Sequence, residues 1–161
     1  MKTVNIKKIL TAVDLSPQSA DVAEYAVCLA RSLGAEILAI YIAPSLGHYV
    51  GFHVPTSSIE NFVGEVVNGA EKSMEEFVKE KFQGVKAQGK VISGYAAEEI
   101  INQAKENNVD LIVMGTHGRA GLDRILFGSV AEKVVKNSNV PVLTIRPEGL
   151  AAAAPSAAKP L

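Results

Sequence analysis

Short runs of apolar residues alternate along the chain with longer segments in which apolar residues recur every three or four positions. A short, continuously apolar run is typical of a strand buried on both faces, whereas the wider spacing is typical of one face of a helix. The runs predict strands at residues 9–13, 36–42, within 85–93, 111–114 and 142–145. The spaced segments predict helices at residues 16–33, 58–82, 97–107 and 129–137.

Local signals mark the ends of the first helix. Ser16 and Pro17 form a typical helix start, because a serine hydroxyl can accept a free backbone N–H and proline already has the helical φ angle. Gly34 predicts a left-handed C-cap. Strict alternation of strands and helices is typical of an α/β fold, so we predict a single domain with a five-stranded parallel sheet and helices on both faces.

The end of the chain differs from this regular part. Residues 1–147 hold all the predicted elements and form the predicted domain, whereas residues 148–161 are mainly Ala and Pro and predict a disordered tail. Residues 43–57 predict an apolar loop. The N-terminal segment lacks the long apolar region of a signal peptide, and no run of about 18 apolar residues predicts a membrane span.

Charge and cysteine content exclude further functional classes. The chain has 16 basic and 17 acidic residues and a formal charge of -1, so it lacks the basic surface that non-specific nucleic-acid binding requires. A single cysteine, Cys28, cannot form an internal disulfide, and we interpret it as a packed helix residue in a reducing compartment. These features predict a cytoplasmic protein with no nucleic-acid and no membrane partner.

Glycines cluster around the fourth predicted strand. Gly115 and Gly118 follow that strand, and Gly128 and Ser129 open the last predicted helix. Open α/β sheets bind ligands beyond the carboxyl ends of their strands, and the free N–H groups of a helix N-terminus suit an anion. Because glycine lets the backbone approach a phosphate closely, the cluster predicts a phosphate site. The alternative is that these glycines form ordinary turns.

The spacing Gly-x2-Gly-x9-Gly-Ser that begins at Gly115 resembles the ATP-binding motif of the universal stress protein family. Three further segments are similar to that family, namely KILTAVD at residues 8–14, LDRILFGSVAEKV at 122–134 and VPVLTIR at 140–146. The resemblance covers the chain from Lys8 to Pro147 apart from the 44–60 loop. It implies the strand order 3-2-1-4-5 and membership of the ATP-binding branch, with ATP and Mg²⁺ as the ligands.

The resemblance also implies a position for each residue of the site. Asp14 would lie beside the adenosine, and Ala12 and Val13 would line the adenine. The main chain at Ile42 would contact the edge of the base. Ribose and phosphates would be flanked, bound or screened by the rest of the motif, namely Met114, Gly115, Gly118, Arg119, Gly128, Ser129 and Val130. For Asp14 the alternative is a structural carboxylate at the start of the first helix.

No other residue pattern predicts catalysis or a metal site built by the protein. Ser129 has no His or Lys at a spacing that would activate it as a nucleophile. His48 and His53 lie in the apolar loop without acidic residues or cysteines at metal-ligand spacing. We therefore predict no catalytic residue and no metal ligand.

Three functions are compatible with these residues. The first is an ATP-binding stress-response module, in which the nucleotide signals a state. It is favoured because the sequence lacks the base, metal cage and cationic groups of fast phosphoryl transfer. The alternatives are a dimeric interaction module that works without nucleotide, and an enzyme such as a slow ATPase or a nucleotidyl transferase. The intact glycine motif favours the first function over the second.

The last predicted strand, Val142–Ile145, is short and apolar. In the strand order that the resemblance implies, it lies at a sheet edge, where unpaired N–H and C=O groups favour pairing with another strand. The resemblance therefore implies a homodimer through this strand. No other protein partner is indicated.

Overall fold

The computed structural model describes residues 4–45, 56–116 and 128–146. Within these ranges the chain alternates between strands and helices. The strands are β1 (Lys8–Ala12), β2 (Glu36–Ala43), β3 (Ala87–Ser93), β4 (Leu111–Gly115) and β5 (Val142–Ile145). The helices are α1 (Ser19–Leu33), α2 (Thr56–Lys81), α3 (Ala96–Glu106) and α4 (Ser129–Asn137).

All five strands form one parallel sheet in the order β3-β2-β1-β4-β5. Helices α1 and α2 pack on one face of the sheet, and α3 and α4 pack on the other. Consecutive residues of β1 serve both faces, since Ile9 packs with α1 and α2 while Leu10 packs with α3 and α4. The predicted fold class and strand order are confirmed, and burial on both faces explains the continuously apolar runs.

The predicted boundaries of α1 were correct at one end and wrong at the other. Gly34 has φ 62° and its N–H donates to the Ala30 carbonyl, as expected of a left-handed C-cap. The helix begins at Ser19, however, and the Ser16 hydroxyl donates to the Asp14 carboxylate instead of capping α1. A carboxylate is the stronger acceptor, so the chain forms a separate turn before the helix.

The prediction that Cys28 is a packed residue is wrong, because its side chain is exposed. The buried stripe of α1 runs through Val22, Ala26 and Ala30, and Cys28 lies to one side of it. None of the helices in the described ranges is long and apolar enough to cross a membrane.

Two glycines with open surroundings provide a test of the helix energetics. Gly64 lies inside α2, and none of the described atoms lies within 4 Å of the position that a Cβ would take. We expect Gly64→Ala to raise the free energy of unfolding by about 0.5–1 kcal/mol, because alanine has the higher helix propensity. Gly34→Ala is the control, since its surroundings are equally open but its φ is +62°. It should lower the free energy of unfolding by about 1 kcal/mol. Urea denaturation measures both, and equal shifts would contradict the argument.

Candidate functional site

The strand order places a topological switch point at the carboxyl ends of β1 and β4. Strand β1 pairs with β2 on one side and with β4, which comes later in the chain, on the other side. The connections diverge there, since α1 packs on one face of the sheet and α4 on the opposite face. Ligands of open α/β sheets bind in the crevice that this divergence creates.

The strands end at different heights, and this forms a recess above the end of β1. Ala12 is in register with Ile40 of β2, so β2 continues for the three residues Tyr41–Ala43 beyond it. At a strand rise of about 3.3 Å per residue, this extension is about 10 Å long. On the other side Ala12 is in register with Met114, and β4 continues only to Gly115. The recess is therefore bounded by the end of β2 on one side and the end of β4 on the other.

The main chain of Ile42 faces this recess. The Ile40 carbonyl accepts a hydrogen bond from the Val13 N–H at 2.9 Å, so Ile40 directs its backbone groups toward β1. The Ala43 carbonyl accepts from the Gly94 N–H at 3.1 Å and so faces β3. Backbone groups alternate in direction along a strand, and those of Ile42 therefore point to the β1 side, beyond the end of β1.

Asp14 is engaged in the turn that joins β1 to α1. Its Oδ1 accepts hydrogen bonds from the Ser16 N–H at 3.0 Å, from the Ser16 hydroxyl, and from the Ser19 hydroxyl at 2.7 Å. The Asp14 N–H donates in return to the Ser19 Oγ at 3.1 Å. The carboxylate thus has the structural role that the sequence left open as an alternative. A contact with adenosine stays a prediction.

Most of the predicted apolar site residues contribute their side chains to the core. Val13 and Met114 are 7% and 4% exposed, and they pack on opposite faces of the sheet. Ala12, Ile42 and Val130 are half-buried on the α3–α4 face. The structure thus brings these residues to the switch point, where Val13 and Met114 offer mainly their backbone.

Thr116 connects the start of α4 to the end of the sheet through two backbone hydrogen bonds. It directly follows β4, its side chain is buried, and its N–H donates to the Ile145 carbonyl at 2.8 Å. Its own carbonyl accepts from the Gly128 N–H at 2.7 Å. Sequence analysis missed Thr116, although a polar residue directly after a buried strand could have suggested it.

In the described part of the chain, no side chain caps the N-terminus of α4. Gly128 is the N-cap, and its φ of -69° and ψ of 157° can be adopted by any residue, so backbone strain does not require glycine here. The first hydrogen bond inside the helix joins the Glu132 N–H to the Gly128 carbonyl. The N–H groups of Ser129, Val130 and Ala131 therefore have no acceptor within α4, and a helix start of this kind can bind an anion.

Several residues of the predicted site lie outside the described ranges. These are Gly118 and Arg119 of the glycine motif, His48 and His53 of the apolar loop, and the tail at residues 148–161. In the described part of the chain, no group of three His, Cys, Asp or Glu side chains is placed to hold a metal ion.

Charged groups at the opposite, amino-terminal edge of the sheet pair with one another. Glu36 accepts from Lys8 at 3.0 Å and from Lys86 at 2.6 Å, and these hydrogen bonds lower the pKa of Glu36. Asp110 accepts from the N–H groups of Lys7 and Lys8 at 2.8 and 2.9 Å. The charges of this edge thus pair with one another, whereas the carboxyl edge carries the start of α4, which no described side chain caps.

Known proteins of similar sequence and structure cover nearly the whole chain. The sequence matches the universal stress protein family over residues 5–146. Universal stress protein MJ0531 of Methanocaldococcus jannaschii is 37% identical over 142 residues, which is 87% of this chain and 82% of that protein. Universal stress protein MJ0577 of the same organism is 33% identical over 158 residues, which is 89% of this chain and 97% of that protein.

Solved structures agree with the sequence comparison. A structure of MJ0577 matches with a TM-score of 0.80 and 28% identity, and covers 91% of this chain and 99% of that one. A universal stress protein from Archaeoglobus fulgidus, solved in complex with dAMP, shares the fold with a TM-score of 0.54 and 20% identity, covering 89% of this chain and 100% of that one. The chain belongs to the universal stress protein family.

Proposed function

We propose that this protein binds ATP at the carboxyl ends of β1 and β4 and acts in the cytoplasm as a nucleotide-dependent stress-response module. The observation that carries the proposal is the N-terminus of α4, which no described side chain caps and which Thr116 joins to the end of β4, beside the recess above β1. The occurrence of dAMP in a relative of the same fold supports an adenine nucleotide as the ligand.

The charges of the site set the direction of the nucleotide. The α4 N-terminus attracts the phosphates through its free N–H groups and the positive end of its dipole. The β1–α1 turn carries the negative charge of Asp14, and the N–H groups of Asp14 and Ser16 already donate within the turn. The phosphates therefore lie toward α4, and the uncharged base lies toward β2, where the Ile42 main chain can form hydrogen bonds with its edge.

Mg²⁺ binds together with ATP in this proposal. Mg²⁺ prefers oxygen ligands and commonly binds through substrate phosphates with one or two carboxylates. Asp14, the carboxylate in the described part of the site, already accepts three hydrogen bonds on Oδ1. We therefore expect the phosphates, rather than a cage of protein carboxylates, to hold the ion.

The two edges of the sheet support a homodimer through β5. The edge strand β3 exposes Gln88 and Lys90, and polar side chains of this kind protect an edge from pairing. The other edge strand, β5, carries no charged residue, and Val142, Leu143 and Thr144 are half-buried. The absence of charge makes β5 the edge better suited to pair with a second copy of the chain.

Calorimetric titration of ATP with Mg²⁺ tests the proposed site. We expect the wild type to bind ATP and Ser129→Ala to bind it about ten- to a hundredfold more weakly. The substitution removes the Ser129 hydroxyl, and a hydrogen bond from that hydroxyl to a charged phosphate contributes roughly 1.5–3 kcal/mol. Ser138→Ala is the matched control, since Ser138 follows the opposite end of α4. Failure of the ligand-free wild type to bind millimolar ATP would favour the nucleotide-independent interaction module instead.

Turnover measurements separate a nucleotide sensor from an enzyme. In the described part of the site, no group of three His, Cys, Asp or Glu side chains is placed to hold a metal ion. We therefore expect steady-state ATP hydrolysis with Mg²⁺ to be far slower than the roughly 1–100 s⁻¹ of kinases. A rate within that range that is lost in Ser129→Ala would contradict the sensor and favour an enzyme.

A further inference from the structure

Basic residues from two sources collect at the amino-terminal edge of the sheet. Each helix leads into the start of the next strand, so α1 to α4 all end at this edge. Their last turns carry Arg31, Lys79, Lys81, Lys105 and Lys136. Cations at these positions complement the negative ends of the helix dipoles. The dipoles do not explain Lys8, which begins β1, or Lys7 and Lys86, which lie just before β1 and β3.

Acidic residues compensate only part of this positive charge. Glu36 begins β2 and Asp110 lies just before β4, while Glu80 and Glu106 lie in the last turns of α2 and α3. The described part of the edge thus has eight basic and four acidic side chains. Because the whole chain has a formal charge of -1, the positive surplus is a property of this edge rather than of the protein surface in general.

A cavity of about 480 Å³ lies within this edge. Lys7, Lys8, Lys86, Glu36 and Asp110 contribute to its wall. Lys8 and Lys86 share the Glu36 carboxylate, at 3.0 and 2.6 Å, so two ammonium groups are paired with one negative charge. The Lys86 side chain is 85% exposed, and its remaining N–H groups can donate to a second anion.

The lining of the cavity favours a peptide over other anionic partners. The carboxylates of Glu36 and Asp110 lie among the lysines and would repel the closely spaced phosphates of a nucleic acid. A concave surface fits a flat lipid bilayer poorly. A peptide can place its carboxylates apart, opposite the lysines only, and the side-chain amide of Asn108 in the wall can exchange hydrogen bonds with a peptide backbone.

We propose that the amino-terminal edge of the sheet is an interaction surface for an acidic segment of a partner protein. Carboxylates of the segment pair with Lys7 and Lys86 at the cavity, and the basic last turns of the helices attract it from a distance. The surface lies at the opposite end of the sheet from the proposed nucleotide site, so this inference does not depend on ATP binding.

Fluorescence anisotropy with a labelled peptide of alternating Glu and Gly tests the surface. We expect the full-length wild type to bind this probe and Lys7→Gln and Lys86→Gln each to bind it about threefold more weakly, because each loses one exposed ion pair with the peptide. Lys72→Gln is the matched control, since it removes the same charge from α2 outside the last turn and outside the cavity. Its affinity should equal that of the wild type.

Glu36→Gln changes the affinity in the opposite direction. Glu36 competes with the peptide for Lys8 and Lys86, so its neutral variant should bind the peptide about threefold more tightly. A merely structural role of this ion-pair cluster predicts no gain. Urea denaturation confirms that each variant is folded, and higher salt should weaken binding by screening the charges.

The outcomes decide whether the surface exists and what it binds. Absence of peptide binding at millimolar concentration, or equal losses in Lys86→Gln and Lys72→Gln, would overturn the surface. Weaker binding in Glu36→Gln would overturn the role of the cavity. Phosphatidylserine vesicles or a single-stranded oligonucleotide that bind more tightly than the peptide, and depend on Lys86 in the same way, would overturn the acidic protein segment as the partner.

Discussion

Gly128→Asp is expected to reduce the affinity for ATP by a hundredfold or more while making the protein slightly more stable. The N-cap position accepts aspartate well, because its carboxylate can bond to the free N–H groups of the first helical turn and favours the positive end of the dipole. The backbone of Gly128 is already extended, at φ -69° and ψ 157°, so the new residue causes no strain. The free energy of unfolding should rise by roughly 0.5–1 kcal/mol.

The same carboxylate removes the proposed phosphate site. It occupies the N–H groups of Val130 and Ala131 that the phosphates would use, and its charge repels them. Two lost hydrogen bonds to a charged group, at roughly 1.5–3 kcal/mol each, correspond to at least a hundredfold in affinity. Titration calorimetry measures the loss, and urea denaturation measures the gain in stability.

Gly128→Asn shows how much of the loss in affinity comes from occupying the free N–H groups and how much comes from the negative charge of aspartate. Asparagine caps a helix about as well as aspartate but carries no charge, so its effect on affinity should be intermediate. Opposite signs for stability and affinity in Gly128→Asp would show that the free start of α4 serves a ligand. Unchanged affinity in Gly128→Asp would place the phosphates elsewhere.

Thr144→Pro is expected to dissociate the proposed homodimer without unfolding the protomer. The carbonyls of Pro141 and Ile145 accept from Ile112 and Thr116 of the neighbouring chain segment, so odd-numbered residues of β5 direct their backbone groups toward β4. Thr144 therefore directs its N–H to the open edge. Proline removes this donor and leaves the pairing with β4 intact.

In a two-fold dimer the substitution removes a donor from each protomer. At about 1 kcal/mol for each lost hydrogen bond, the dissociation constant should rise by roughly ten- to a hundredfold, measured by sedimentation at tens of micromolar protein. Leu143→Lys should act in the same direction by placing a charge on this edge.

Ala87→Pro is the matched control for the edge. The Lys86 carbonyl accepts from the Ile37 N–H, so Lys86 faces β2 and Ala87 directs its N–H to the outer edge of β3. Both variants thus lose one outward donor from an edge strand. A dimer that survives Thr144→Pro, or dissociates equally in Ala87→Pro, would contradict an interface at β5.

The sequence by itself determined the fold class and the approximate position of every element. Five apolar runs and four amphipathic segments follow from local composition, and the observed elements differ from the predicted ones by at most two residues, apart from the start of α1. Residues that are close in sequence decide these features. Gly128 and Ser129, for example, mark the start of α4 because helix ends have strong local preferences.

Only the tertiary structure decided how the candidate site is built. The recess depends on the register of β1 against β2, and the position of α4 depends on the contact of Thr116 with Gly128 and Ile145. The left-handed backbone of Leu15, at φ 59°, has no signal in its residue type, and its side chain packs against the core of the α1–α2 face. Each feature depends on contacts among several segments, and local sequence preferences carry no information about such contacts.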